Sequence, residues 1–102
     1  MRDKNLPLTE TTYYILLALT APLHGYAAIQ TIETLSQGTV KIAAGTMYGA
    51  IENLLKLKWI TEVPSADKRR RVYQITAAGR EIMALETKRM RTLTALASQF
   101  KY

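Results

Sequence analysis

A small, mainly α domain with one β-hairpin and a long last helix, an α+β arrangement, is what three features of this sequence predict. Apolar residues recur at helical spacing in four stretches. Two β-branched and aromatic runs, Trp59 to Val63 and Arg71 to Ile75, flank the polar turn Pro64-Ser65-Ala66-Asp67-Lys68. The chain has 102 residues, 48% of them hydrophobic, which is enough for one core and a single domain.

Each element follows from local chemistry. Thr9 is placed as the N-cap of a first helix that carries Ile15, Leu16 and Leu19 on one face and stops at Ala21-Pro22. His24-Gly25 opens a second helix with Tyr26, Ile29 and Ile32 every third residue. Ser36-Gln37-Gly38 ends it, Gly38 suiting the left-handed conformation past a helix. Val40-Lys41-Ile42 is expected as a short extended piece, so the expected order is α-α-β-α-β-β-α. The third helix, about Ala44 to Leu57, buries Met47, Ile51, Leu54 and Leu55.

Gly45 and Gly49 stand on its other side, each costing about 1 kcal/mol of helix propensity relative to Ala. Either something approaches the backbone closely there, or a neighbouring helix packs tightly. After the hairpin, Thr76 caps a last helix whose first turn is Thr76 to Gly79 and which runs to about Lys101.

Charge separates the chain into two parts. Residues 1–64 hold five basic and five acidic side chains; residues 65–102 hold nine basic and three acidic, which is the whole net charge of +6. Four of the cations are consecutive, Lys68-Arg69-Arg70-Arg71 at the hairpin tip. Such a patch suits phosphate or another polyanion; it equally describes a solvated turn that keeps the chain soluble. With no Cys and one His there are no parts for a disulfide scaffold, a metal site or nucleophilic catalysis, so neither enzyme nor metal or cofactor is expected. No apolar run approaches the ~18 residues of a membrane span, and the first residues lack a signal-peptide core, so a cytoplasmic protein is expected.

Three short helices followed by a hairpin with a cationic tip make a winged helix-turn-helix, in which the third helix enters the major groove and the wing lies on the phosphate backbone. Gly45 and Gly49 keep the surface of that helix low. Thr46 and Tyr48 offer hydroxyls, and Lys68, Arg69, Arg70 and Arg71 neutralise phosphates irrespective of sequence.

The segments Leu23-His24-Gly25-Tyr26-Ala27-Ala28-Ile29, Gly45-Thr46-Met47-Tyr48-Gly49-Ala50-Ile51 and Arg71-Val72-Tyr73-Gln74-Ile75-Thr76-Ala77-Ala78-Gly79 occur in this order on the second helix, the third helix and the wing. With them, residues 6–80 resemble the PadR family of bacterial transcriptional regulators. One helix after the wing is similar to its short subfamily, in which that helix dimerises. The resemblance implies a DNA-binding domain over residues 6–78 and a dimerisation helix over residues 79–102. It implies that Tyr48 faces DNA and that Thr46 sits at the groove. His24 begins the second helix, where it either makes a backbone contact to phosphate or satisfies a local carbonyl. Tyr26 and Tyr73 are expected as packing residues whose hydroxyls reach the surface. Ala44 stands where many relatives have proline or serine, so capping there is poorer than usual. Some short members bind aromatic drugs between tryptophans on the paired helices; here the one Trp, Trp59, falls at the wing strand, although Tyr13, Tyr14 and Phe100 are aromatic candidates for a pocket.

The last helix sets Ile82, Leu85, Arg89, Leu93, Leu96 and Phe100 along one side, with Met83, Met90 and Ala97 beside them. So broad an apolar surface either folds back on its own domain or pairs in a symmetric dimer, and the dimer is expected. Arg89 then snorkels to the rim or pairs with Glu81 or Glu86 of the second copy. The expectation is a homodimeric repressor on a pseudo-palindromic double-stranded operator, with room for an unidentified small-molecule effector. Its rivals are a protein-binding module that grips an acidic partner through the basic hairpin and a membrane-surface helix. Thr87, Thr92, Thr94, Ser98 and Gln99 argue against the membrane.

Overall fold

The structure, a computed structural model, describes residues 2–102. Its elements are α1 (Glu10–Ala18), β1 (Leu23–His24), α2 (Gly25–Leu35), α3 (Ala44–Lys56), β2 (Ile60–Val63), β3 (Val72–Ile75) and α4 (Ala77–Gln99). Thr9 caps α1 by accepting from the Thr12 amide, and Thr76 caps α4 by accepting from Gly79, as their positions predict.

Where α2, α3 and α4 stop, the residue past the cap turns left-handed without being glycine. Gln37, Lys58 and Lys101 have φ of 54°, 63° and 69°. The amides of Gly38, Trp59 and Tyr102 reach back to the carbonyls of Glu33, Leu54 and Ala97, the six-to-one bond of a Schellman motif. Gly38, at φ 80°, is left-handed as expected, directly after Gln37.

The sheet is antiparallel with order β1-β3-β2, and Ile60 faces Ile75 while Val63 faces Val72. The expected extended piece at Val40-Lys41-Ile42 forms no strand. Its backbone is held by a side chain instead, the Val40 amide donating to Ser36 Oγ at 2.9 Å, while Ile42 is buried. The third strand is Leu23–His24, which pairs with Tyr73 and Val72 on the free edge of β3.

The core gathers Ile15, Leu16, Leu19, Ala28, Ile32, Met47, Ile51, Leu54, Trp59, Ile60 and Tyr73, with Ile82 and Met83 from the start of α4. The junction between wing and α4 is tight. Ile75 donates to the Leu19 carbonyl at 2.8 Å, Thr76 donates to the Trp59 carbonyl at 2.9 Å, and Thr76 Oγ1 donates to the Lys58 carbonyl at 2.7 Å. A Cβ on Gly79 would stand 2.2 Å from the Trp59 carbonyl oxygen, so only glycine lets α4 start this close to β2. Gly79→Ala is expected to cost at least ~1–3 kcal/mol, the usual range for overpacking, as read by urea unfolding.

Ile82, expected on the unpaired side of the last helix, is instead 5% exposed and belongs to this core. Glu86, one turn further on, is 1% exposed. Its carboxylate accepts from the Leu8 amide at 2.8 Å and from both Nε and Nη2 of Arg89. Arg89 therefore pairs within its own chain and needs no carboxylate from a second copy. The Arg89 hydrogen bonds, reinforced by the Leu8 amide, hold the Glu86 carboxyl below the usual carboxylate range against the opposing effect of burial.

A carboxyl whose folded value is depressed stabilises the fold above its unfolded value, and that contribution is lost as pH falls through the folded value. Glu86→Gln should therefore lower the melting temperature most near neutral pH. The gap to the parent protein should close on acidification through the carboxylate range, and a gap constant with pH would contradict this.

Candidate nucleic-acid interface

Three of the four helices begin on a side-chain cap, and α3 does not. Its N-cap is Ala43, which makes no side-chain hydrogen bond. The first amide tied back within the helix is that of Met47, to the Ala43 carbonyl at 2.9 Å. The amides ahead of it are free to meet an anion at the positive end of the helix.

Met47, Ile51 and Leu54 are buried, whereas Gly45, Thr46, Tyr48 and Gly49 face outward. A Cβ on Gly45 or Gly49 would meet nothing within 4 Å. Tight packing against a neighbouring helix of this chain is therefore not what those glycines serve.

Tyr48 does not stand loosely on this face. A Cβ on Gly25 would fall 2.7 Å from its ring, so the buried Gly25 at the start of α2 is the bed on which the phenol lies. Nothing in the periodicity of the sequence marks that pairing; the glycine after His24 was its one visible sign. Tyr26, expected to pack, is 60% exposed and joins Tyr48 on the surface, whereas Tyr73 is buried as expected.

The wing tip is organised around one carboxylate. Asp67 Oδ1 accepts from the Arg69 amide at 3.0 Å and lies 3.4 Å from Arg69 Nε, while Oδ2 lies 3.9 Å from Arg70 Nε. Ser65 Oγ accepts from the Asp67 amide at 3.2 Å and closes the turn. Ion pairs this exposed contribute only ~0–1 kcal/mol, so the arginines can exchange Asp67 for another anion at little cost. Lys68, Arg69, Arg70 and Arg71 are all exposed, and β3 begins just after them, at Val72 rather than at Arg71.

His24 joins the wing to the start of α2. It satisfies no carbonyl: Nδ1 accepts from the Ala27 amide at 3.2 Å, making the ring the N-cap of α2. Arg70 Nη1 lies 3.1 Å from Nε2. An open groove of about 600 Å³ brings His24, Tyr26, Tyr48, Arg69, Arg70 and Arg71 together, with Glu52 as its one carboxylate. Lys68, Gly45, Thr46 and Gly49 lie outside that groove, on the flanking surface.

Beyond Met90 the side chains of α4 are exposed, apart from the half-buried Ala97. Leu85, Leu93 and Leu96 are about half exposed and Phe100 is 69% exposed, four apolar side chains on one line with no cover. Of the three aromatic residues expected near a pocket, Tyr13 spends its hydroxyl on Thr87 at 2.7 Å, Tyr14 packs on the core, and Phe100 lies at the far end of α4. Among the described residues no helix is long and apolar enough to cross a membrane, and no group of three or more His, Cys, Asp or Glu side chains is placed to hold a metal.

Comparison with known proteins agrees with this architecture. A transcriptional regulator from Clostridium thermocellum, Cth-833, superposes with a TM-score of 0.71 at 21% identity, over 89% of this chain and 91% of that one. A PadR family transcriptional regulator from Eggerthella lenta gives 0.72 at 18% identity, over 88% and 80%. Bacillus subtilis PadR, solved in complex with operator DNA, gives 0.64 at 18% identity; there the match spans 76% of this chain and 46% of that longer one. The comparison with curated proteins found no match. The profile of the transcriptional regulator PadR-like family matches residues 15–85, from the first helix through the wing into the last helix. With most of its length matched and a mainly α winged-helix fold, the chain belongs to the PadR-like family of transcriptional regulators.

Proposed function

We propose that this chain is a sequence-specific DNA-binding regulator that acts as a repressor. Two copies bind a pseudo-palindromic operator, with α3 in the major groove and the wing on the phosphate backbone. The observation that carries the reading is α3 itself. It is the one helix without a side-chain cap, it is lowered by two glycines that touch nothing, and it stands beside four consecutive cations. In this arrangement Gly45 and Gly49 admit the DNA, Thr46 and Tyr48 reach base edges or phosphates, and Lys68 to Arg71 follow the backbone. His24 adds a contact where α2 meets the wing. A bound dimer covers its operator, which is the sense in which it represses. The operator complex of Bacillus subtilis PadR supports the reading by analogy of fold. An acidic protein partner gripped by the wing would leave the uncapped, low-sided α3 without a purpose.

Leu85, Leu93, Leu96 and Phe100 of α4 pair with their copies in the second chain, setting two α3 helices roughly 34–36 Å apart, one turn of DNA. Arg89, held by Glu86, flanks that seam. An effector, if the protein takes one, is a small molecule of unassigned chemistry.

The two faces of α3 supply the test. Tyr48→Ala and Thr46→Ala should each weaken binding to a duplex from the region upstream of the coding sequence by ~1–3 kcal/mol, the value of a base contact, with little change in melting temperature. Met47→Ala, a fully buried position, should cost ~2–5 kcal/mol of stability. Fluorescence anisotropy and thermal melts read the two effects. The reverse pattern, in which Tyr48→Ala unfolds the chain and Met47→Ala does not, contradicts the assignment.

A further inference from the structure

The hydrogen bonds around His24 do not balance. The ring accepts from the Ala27 amide through Nδ1 at 3.2 Å, and Arg70 Nη1 stands 3.1 Å from Nε2. A guanidinium has donors only, and a neutral imidazole has one N–H and one lone pair. Two accepted bonds would need two lone pairs, which neither the neutral ring nor the imidazolium possesses. The cap decides which nitrogen is bare. Accepting at Nδ1 puts the ring hydrogen on Nε2.

That N–H then faces an N–H of Arg70. Two donors from different elements, the start of α2 and the wing, converge at 3.1 Å in a groove that Arg69 and Arg71 also line. An acceptor oxygen about 2.8 Å from both nitrogens turns this donor–donor contact into two hydrogen bonds. Three arginines outnumber the carboxylates near them, Glu52 in the groove and Asp67 at the wing tip, and the net positive charge makes that oxygen an anion's.

Taking the DNA-binding reading as its ground, we propose that His24 Nε2–H and the Arg70 guanidinium together seat one non-bridging oxygen of a DNA phosphodiester in each half-site. The two donors differ in kind. Arg70 supplies charge and displaces a counterion. His24 supplies a directional neutral donor, fixed in tautomer by its own helix cap, which sets the register of the wing against α2.

His24→Asn separates the seat from the cap, because asparagine is itself a good N-cap and lacks the Nε2 donor. In the full-length protein this variant should melt like the parent yet bind the upstream duplex about a hundredfold more weakly, about tenfold for the hydrogen bond to a charged group lost in each of the two half-sites. Its salt dependence should be unchanged, while Arg70→Ala flattens it. Single methylphosphonate substitutions along the duplex should reveal one position per half-site whose cost is smaller in His24→Asn than in the parent, since only the Arg70 contact is left there to lose. Equal affinity of parent and His24→Asn, or methylphosphonate losses that simply add at every position, would overturn the seat while leaving DNA binding intact.

An arm without DNA separates failure of the seat from failure of the DNA-binding reading. Long-range proton–nitrogen spectra of the free protein should show His24 as the Nε2–H tautomer. Inorganic phosphate should shift its ring resonances in the parent and not in Arg70→Ala. An Nδ1–H tautomer, or a ring indifferent to phosphate, contradicts the proposal whatever the DNA result. A parent that fails to bind the duplex but passes this arm overturns the DNA reading and the phosphodiester assignment, and leaves an anion seat.

Discussion

Leu93→Asp combined with Leu96→Asp is expected to give a folded monomer that has lost specific operator binding. Both leucines lie on the exposed line of α4, beyond the turn in which Ile82, Met83 and Glu86 tie the helix to the core. Carboxylates placed there cannot disturb that core, yet in a symmetric pair each meets its own copy across the seam. Burying a leucine contributes ~1.5–3 kcal/mol, and two-fold symmetry doubles each loss.

The effect on DNA is larger than that of any single contact. Two joined heads bind with an effective concentration that one head alone lacks, and its loss is worth ~10²–10⁴ in affinity. Sedimentation equilibrium should find the parent dimeric at micromolar concentration and the double variant monomeric, with the helical circular dichroism of the head retained. A monomeric parent would contradict the dimer, and the two-half-site operator with it.

Replacing Lys68, Arg69, Arg70 and Arg71 together by alanine is expected to weaken specific and non-specific DNA binding alike. Each phosphate contact that disappears should flatten the log–log salt dependence by roughly 0.9, or by about 7 if all eight cations of a dimer touch phosphate. The melting temperature should hardly move. These side chains are exposed, and only Arg69 and Arg70 approach a carboxylate, that of the turn residue Asp67. An unchanged salt slope in the quadruple variant would remove the wing from the backbone.

Helix faces, caps and the charged hairpin were legible in the sequence because each is a local signal. Thr9 and Thr76 precede apolar-periodic stretches, and Met47, Ile51 and Leu54 share a face, so the buried and open sides of α3 follow directly. What escaped is non-local. A strand of two residues, Leu23–His24, has no periodicity to read, and its partner β3 is nearly fifty residues away. The left-handed residues at Gln37 and Lys58 carry no compositional mark, since the Schellman bonds outweigh the preference for glycine.

In sequence the side of α4 is one continuous stripe, yet the head takes Ile82 for its core and leaves Leu85, Leu93, Leu96 and Phe100 uncovered. Sequence alone leaves Arg89 to the rim or to a carboxylate of a second copy; the fold pairs it with Glu86 of its own helix, and the Leu8 amide completes the set. Likewise His24 and Arg70, 46 residues apart, become neighbours only because β1 lies beside β3.

The central claim, two copies reading one operator through α3, is tested most directly by titrating the protein into a duplex from its own upstream region, with excess unrelated DNA as competitor. Sedimentation velocity then gives the stoichiometry. The account predicts a saturable complex of two chains on one duplex that survives competition and is weakened in Tyr48→Ala. Equal affinity for the unrelated duplex, or a complex that takes up one chain at a time without limit, would contradict it.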